Sequence, residues 1–299
     1  MNVLVTGATG FIGSALCVAL TGAGHAVSTL SRDPERAKLR VPALERAFPW
    51  DPAVPPPVDA LNGVDAVVHL AGESLLGRWT PRKKREIRDS RILGTRNLVE
   101  TIEAAGPKPK VLVSASAVGR YGDRGDEELT EQSPPAEDFL AKVTVDWESE
   151  AARARPHGLR VVTLRTGLPL GRGGGTLGAL LPLSRLCLVG PLGSGRQWWP
   201  WVHLDDMIGI VITALESDWD GAVNVAAPEP VRQRDFARIL GRVVRRPALL
   251  PAPAFAMKAV LGELANELLY SRRALPFQAQ AWGDRFRFTE LEPALRDLL

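Results

Sequence analysis

The chain has 299 residues, 45% of them hydrophobic and 24% charged, an ordinary globular composition with enough apolar material for one large core or two moderate ones. A formal net charge of +3 is too mild to specify a nucleic-acid partner, which needs a concentrated basic face. The two cysteines, Cys17 and Cys187, argue against a disulfide framework and for a reducing, cytoplasmic setting, and no group of Cys, His and carboxylates has metal-ligand spacing.

In chain order, NVLVT (2–6) reads as a strand, and its early start leaves no room for a signal peptide. VLVTGATGFIGSAL then sets Gly7, Gly10 and Gly13 between that strand and a helix near 11–22. Glycines there permit a tight turn, a close approach of backbone to pyrophosphate and tight helix–sheet packing, while the helix N-terminus supplies N–H groups. AVSTL (26–30) is a second strand, ending in Ser31 and Arg32. An acidic residue at this tip suits the ribose of NAD, and an arginine suits the 2′-phosphate of NADP. NADP(H) is therefore the expected cofactor; the competing reading has Arg32 on the surface and Asp33 taking the ribose of NAD(H).

DAVVHL (65–70) is the next strand, followed by a long helix at 80–105. Ile87, Gly94 and Leu98 mark its packed face, and Arg91 shares that stripe, so it requires an anion, either a cofactor phosphate or a carboxylate. Glu86 and Ser90 flank the stripe and are expected near the cofactor. The basic run PRKKREIR reads as a solvated helix start. KVLVSAS (110–116), a helix at 139–155 and LRVVTLR (159–165) continue the alternation, which implies a parallel sheet covered on both faces.

After residue 166 the rhythm breaks. A Gly/Pro-rich passage leads to QWWPWVH, then a helix at 204–217, a strand at 222–226 and a mainly helical remainder ending in LEPALRDLL. The apolar run TLGALLPLSRLCLVGPLG is interrupted by Pro182, Arg185 and Pro191, so no membrane span is expected. The expected fold is α/β, a Rossmann-type doubly wound parallel sheet with a smaller, mainly helical C-terminal substrate domain. Residues 1–167 plus 203–227 are assigned to the first and 168–202 plus 228–299 to the second, in a monomer or homodimer.

TGATGFIG, HLAG (69–72), SASAV (114–118), LRVVTLRTG and WVHLDD (201–206), in that order, resemble the extended short-chain dehydrogenase/reductase superfamily of the NAD-dependent epimerase/dehydratase type. AGESLLGRW, SRILGTRNL, GRGGGTLGALLP, QWWPWVHLDD and the C-terminal LPFQAQAWGDRFRFTELEPALRDLL further resemble an atypical branch named "epimerase family protein", some bacterial members of which carry a cell-division-inhibitor label. The resemblance implies that Gly7, Gly10, Phe11, Ile12 and Gly13 hold the pyrophosphate and that Ser31 and Arg32 hold the adenosine phosphate. It implies further that Leu70, Ala71 and Gly72 lie along the cofactor, that Thr166, Leu168 and Pro169 meet its nicotinamide side, and that Ser116 bonds the reacting oxygen.

One element of that pattern is missing. The superfamily's catalytic tyrosine precedes a lysine by four residues, and here Asp138 precedes Lys142. A normal aspartate is ionised at neutral pH and donates a proton poorly. The pair reads best as a helix i, i+4 ion pair. Tyr121 is the candidate phenol in its place, with a packing role as the alternative, and His203 is a possible proton carrier whose competing role is to cap the following helix. Trp199, Trp201 and His203 are expected to wall a substrate pocket. The function expected is an NADP(H)-dependent oxidoreductase on a small carbonyl or alcohol, the alternatives being a catalytically degenerate NADP(H)-binding regulator and a nucleotide-sugar epimerase.

Overall fold

A computed structural model describes residues 1–299. The chain runs β1 (Asn2–Thr6), α1 (Phe11–Gly22), β2 (Ala26–Ser31), α2 (Pro34–Arg40), β3 (Arg46–Pro49), β4 (Ala66–His69) and α3 (Pro81–Ala104). It continues with β5 (Val111–Ala117), β6 (Glu128–Leu129), α4 (Phe139–Ala152), β7 (Arg160–Thr166), β8 (Leu168–Gly171) and α5 (Gly175–Arg185). The last third holds β9 (Trp198–Trp199), β10 (Trp201–His203), α6 (Leu204–Glu216), β11 (Gly221–Val225), β12 (Val231–Arg232), α7 (Gln233–Val243), α8 (Ala254–Leu261), α9 (Leu264–Leu269), β13 (Arg273–Ala274), α10 (Phe277–Ala281) and α11 (Leu291–Leu298).

Seven strands form one parallel sheet in the order β11-β7-β5-β4-β1-β2-β3. Its strands are apolar almost throughout because both faces are covered. Val3, Val5, Ala66 and Val68 of the sheet and the apolar stripes of α1 and α6 make one core, in which Leu16, Leu20, Ile210 and Val211 are fully buried. Leu4, Val67 and Leu112 belong to the core on the other face, with Leu98 and Ile102 of α3 and Ala151 of α4. The strand order reverses between β1 and β4, which opens a crevice at the strands' carboxyl ends.

β3 and α2 were not among the expected elements. β3 is a four-residue edge strand, RAFP, that closes on a proline and has no alternating pattern to reveal it. α2 is two turns long, and only its Asp33 cap and Pro34 mark its start. Away from the two sheet faces a second-domain core gathers Leu170, Trp199, Trp201, Phe236, Leu240 and Leu295. The C-terminal segment does not keep to that core. Ala279 is buried in the first one, and Trp282 packs on Trp219 with ring centroids 4.9 Å apart. No helix is long and apolar enough to cross a membrane.

Candidate functional site

The glycine turn follows directly from β1. Gly7 has φ +72°, and a Cβ there would lie 2.9 Å from the Leu70 carbonyl carbon at the tip of β4. A Cβ on Gly13 would come within 2.2 Å of the Gly7 carbonyl oxygen, so the first turn of α1 can lie against the loop only as glycine. Gly10 caps α1 with no side-chain hydrogen bond, and no acidic residue stands in the helix's first turn. That end keeps its N–H groups for an external acceptor. Phe11 faces elsewhere: a Cβ on Gly171, Gly174 or Gly175 would meet its ring within 2.8 Å, which explains the GRGGGT motif.

A cavity of about 680 Å³ opens above this turn. Gly7, Gly10, Ser31, Arg32, Leu70, Ala71, Gly72 and Glu86 of the expected set line it, as do Ala8, Thr9, Trp50 to Ala53, Arg82, Arg85, Asp89, Ser90 and Leu93, most of which sequence reading missed. The Trp50–Ala53 wall follows the unforeseen β3 and was hidden with it. Asp33 is spent on its own helix, its Oδ1 accepting the Arg36 N–H at 3.0 Å, and it does not line the cavity, whereas Arg32 does. Ser90 Oγ accepts the Glu73 N–H at 2.9 Å and fixes the loop after β4.

Arg91 has partners within the chain. Its Nη1 donates to the carbonyls of Glu73 and Ile87 at 3.0 and 3.1 Å, and the guanidinium carbon lies 5.2 Å from the Trp147 ring centroid. Burial lowers its pKa to about 10, with the Glu73 charge opposing. The guanidinium is thus held by two carbonyl dipoles and an indole face. Phe11, Ile12, Gly13, Thr166, Leu168 and Pro169 lie outside the cavity lining; β8 pairs Leu168 and Pro169 with Trp201 and Val202 of β10.

At the end of β5, Ser116 Oγ donates to Glu148 Oε1 at 2.6 Å. Arg165 of β7 grips the same carboxylate with two bonds of 2.9 Å, and Arg120 stands 3.4 Å from its other oxygen. Burial disfavours the Arg165 charge, but the bonds to Glu148 and the Tyr121 oxygen outweigh it and hold the guanidinium protonated. Tyr121 is fully buried: its hydroxyl donates to Asn224 Oδ1 at 2.7 Å and accepts from Arg165 Nη1 at 3.0 Å. Desolvation raises its pKa despite Arg165. The phenol expected beside the substrate is therefore a scaffold group in this structure.

Asp138 and Lys142 form no ion pair. Asp138 is the N-cap of α4, accepting the Ala141 N–H at 3.0 Å, and Lys142 is exposed. The α4 residue that reaches Ser116 is Glu148, four positions after the buried Thr144. Sequence reading missed Glu148 and Arg165. Opposite charges on the buried stripe of α4 and inside the apolar strand LRVVTLRTG were the available signal, since such charges must pair.

The aromatic wall is also corrected. Trp201 is fully buried, donating to the Glu229 carbonyl at 3.0 Å, and Trp199 packs edge-on against Phe236 at 5.3 Å. His203 is 1% exposed and caps α6, its Nδ1 accepting the Asp205 N–H at 3.1 Å, with Phe288 stacked on it at 3.9 Å. All three face inward from β9 and β10, and the two indoles and Phe288 belong to the second-domain core. The opposite face carries Trp198, held between the guanidinium groups of Arg232 (4.0 Å) and Arg273 (4.9 Å). Beside it a second cavity of about 550 Å³ is lined by Arg196, Arg232, Arg234, Asp123, Asp126 and Ser271, among others. His203, Asp205 and Asp297 approach one another, but Arg287 already stands 3.4 Å from Asp205 and 3.6 Å from Asp297.

The profile of the NAD dependent epimerase/dehydratase family matches residues 3–226, and a domain of unknown function, DUF1731, matches residues 252–298. The Arabidopsis thaliana protein "Epimerase family protein SDR39U1 homolog, chloroplastic" is 40% identical over all of this chain and 87% of its own length. Bacillus subtilis "Epimerase family protein YfhF" is 37% identical over all of this chain and 98% of its own. The crystal structure of human epimerase family protein SDR39U1 (isoform 2) with NADPH superimposes with a TM-score of 0.90 at 36% identity, covering 100% of this chain and 99% of that one. This chain belongs to the NAD-dependent epimerase/dehydratase family, in the branch of the SDR39U1 and YfhF epimerase family proteins with a C-terminal DUF1731 domain.

Proposed function

We propose that this protein is an NADP(H)-dependent oxidoreductase acting on a small carbonyl or alcohol. One observation carries the cofactor choice: at the tip of β2 Arg32 lines the cavity while the neighbouring carboxylate, Asp33, is tied to α2. The glycine cradle suits a dinucleotide pyrophosphate, since side chains at Gly7 and Gly13 would collide with the backbone of Leu70 and Gly7 and push the helix start away from the loop. The human relative crystallised with NADPH supports the same reading. The dinucleotide supplies the hydride.

The chain's own residues handle the oxygen. Ser116 Oγ, whose hydrogen points at Glu148 in the free protein, accepts from the hydroxyl of an alcohol substrate and turns that hydrogen to donate to a carbonyl oxygen, while the Arg165 fork keeps the Glu148 carboxylate in place. In the second cavity Arg232 is paired with Asp126 at 2.6 Å, and Arg196 and Arg234 remain to suit a substrate bearing an anionic group.

A second reading has its own observation. Tyr121 and Asp138 are both committed to the scaffold, so neither stands free to act as the acid, which favours a dinucleotide binder without turnover. The two separate in one experiment, single-turnover oxidation of bound NADPH across a panel of neutral and acidic carbonyl compounds. Carbonyl-dependent loss of reduced-nicotinamide absorbance, reduced at least about tenfold in Ser116→Ala, supports the oxidoreductase. Tight NADPH binding with no oxidation by any carbonyl supports the binder.

A further inference from the structure

We propose that Arg85 of α3, which lines the same cavity as Arg32, is a second cation for the 2′-phosphate of NADP(H); the inference rests on the NADP(H) reading above. Arg82, the adjacent Arg85 and Glu86, Asp89 and Leu93 follow one another at three- to four-residue steps, so one stripe of α3 forms a cavity wall. Arg32 lines the same cavity from the tip of β2.

The charges on that lining are already matched, with two exceptions. Arg82 bonds Glu86 at 2.8 Å, Glu73 takes Lys83 at 2.5 Å, and Asp89 takes Arg88 at 3.1 Å. The Asp51 carboxylate accepts the Ala53 N–H at 3.0 Å. Arg32 and Arg85 form no ion pair and donate no side-chain hydrogen bond. Two arginines without an ion pair on one cavity lining match a phosphate monoester, whose charge near −2 and three acceptor oxygens exceed what one arginine satisfies. The basic run before α3 is thus divided in function. Lys83 and Lys84 tie the helix to Glu73 and to Glu263, and Arg85 is left for a ligand.

The test is fluorescence titration of full-length wild type, Arg85→Ala, Arg85→Lys and Arg32→Ala with NADPH and with NADH, with thermal midpoints as a folding control. The inference predicts that Arg85→Ala weakens NADPH about 10- to 100-fold and leaves NADH unchanged, with Arg85→Lys recovering part of the loss. Unchanged NADPH affinity in Arg85→Ala, with selectivity lost only in Arg32→Ala, overturns this inference and leaves the NADP(H) reading standing. Equal weakening of both nucleotides also overturns it, because a 2′-phosphate contact cannot affect NADH. A wild type that prefers NADH, or binds neither nucleotide, overturns the NADP(H) reading itself.

Discussion

His69 ends β4 with no exposed surface, wedged between two threonines. Thr6 Oγ1 accepts the N–H groups of Leu70 and Ala71 at 3.2 and 3.1 Å, which commits its own hydrogen to His69 Nδ1 at 2.7 Å. Nε2 then carries the ring proton toward Thr95 Oγ1 at 3.0 Å. This arrangement holds the Leu70–Ala71 rim of the cofactor cavity, and it works only with a neutral imidazole. Burial accordingly lowers the His69 pKa to about 4. A histidine whose folded pKa lies below its unfolded one costs nothing above pH ~6.5, and it destabilises the fold as pH falls from there toward 4, because the unfolded chain takes up a proton that the folded one refuses. Between pH 7 and 4.5 the expected loss is about 2–3 kcal/mol. The buried carboxyls of Glu131 and Asp206, raised by desolvation, pull the other way, so the quantity to measure is a difference. Urea unfolding of wild type and His69→Gln at both pH values supplies it. The wild type should lose more stability on acidification; parallel losses would remove the assigned role of His69.

The helices differ in how openly they declare themselves. α1 is legible because its glycines, its apolar stripe and the strand before it all state one geometry. α4 is legible as a helix and misleading as a site. Asp138 precedes Lys142 by the spacing of the superfamily's catalytic pair, but a residue's helical number says nothing about which turn meets the sheet end. Asp138 stands where the helix begins, and short acceptors are favoured there for the N–H groups of the first turn. Glu148, further along the helix, reaches Ser116. Replacing Asp138 by alanine should therefore cost about 1 kcal/mol of stability, measured by denaturant unfolding, and leave NADPH affinity unchanged. A loss of nucleotide binding at constant stability would return Asp138 to the site. The indoles of QWWPWVH misled for a related reason. Period two divides Trp198 from Trp199 and Trp201, but which face meets a core depends on α7 and α11, which lie far away in the chain.

Across the molecule, the sheet and the C-terminal segment share one buried polar network, which is why the dinucleotide half of the fold is readable locally and the rest is not. Arg165 of β7 bonds Glu148, the Tyr121 oxygen and the Glu131 carbonyl. Tyr121 donates its proton to Asn224 of β11, whose amide donates to the carbonyls of Leu129 and Leu275. Glu131 Oε1 accepts the N–H groups of Asn224 and of Gln278 in α10. Widely separated stretches of chain meet here, and no spacing in the sequence announces that meeting. Removing the phenol oxygen leaves Asn224 Oδ1 without its donor and takes one acceptor from Arg165, inside a region closed to water. A buried polar group left without its partner costs about 1–3 kcal/mol. Tyr121→Phe should thus lower the unfolding free energy by that amount at an unchanged denaturant slope, and NADPH should bind as tightly as to wild type, since the network lies outside the cofactor cavity. Undiminished stability together with lost NADPH oxidation would instead make Tyr121 an acid that reaches the substrate, and the scaffold assignment would fall.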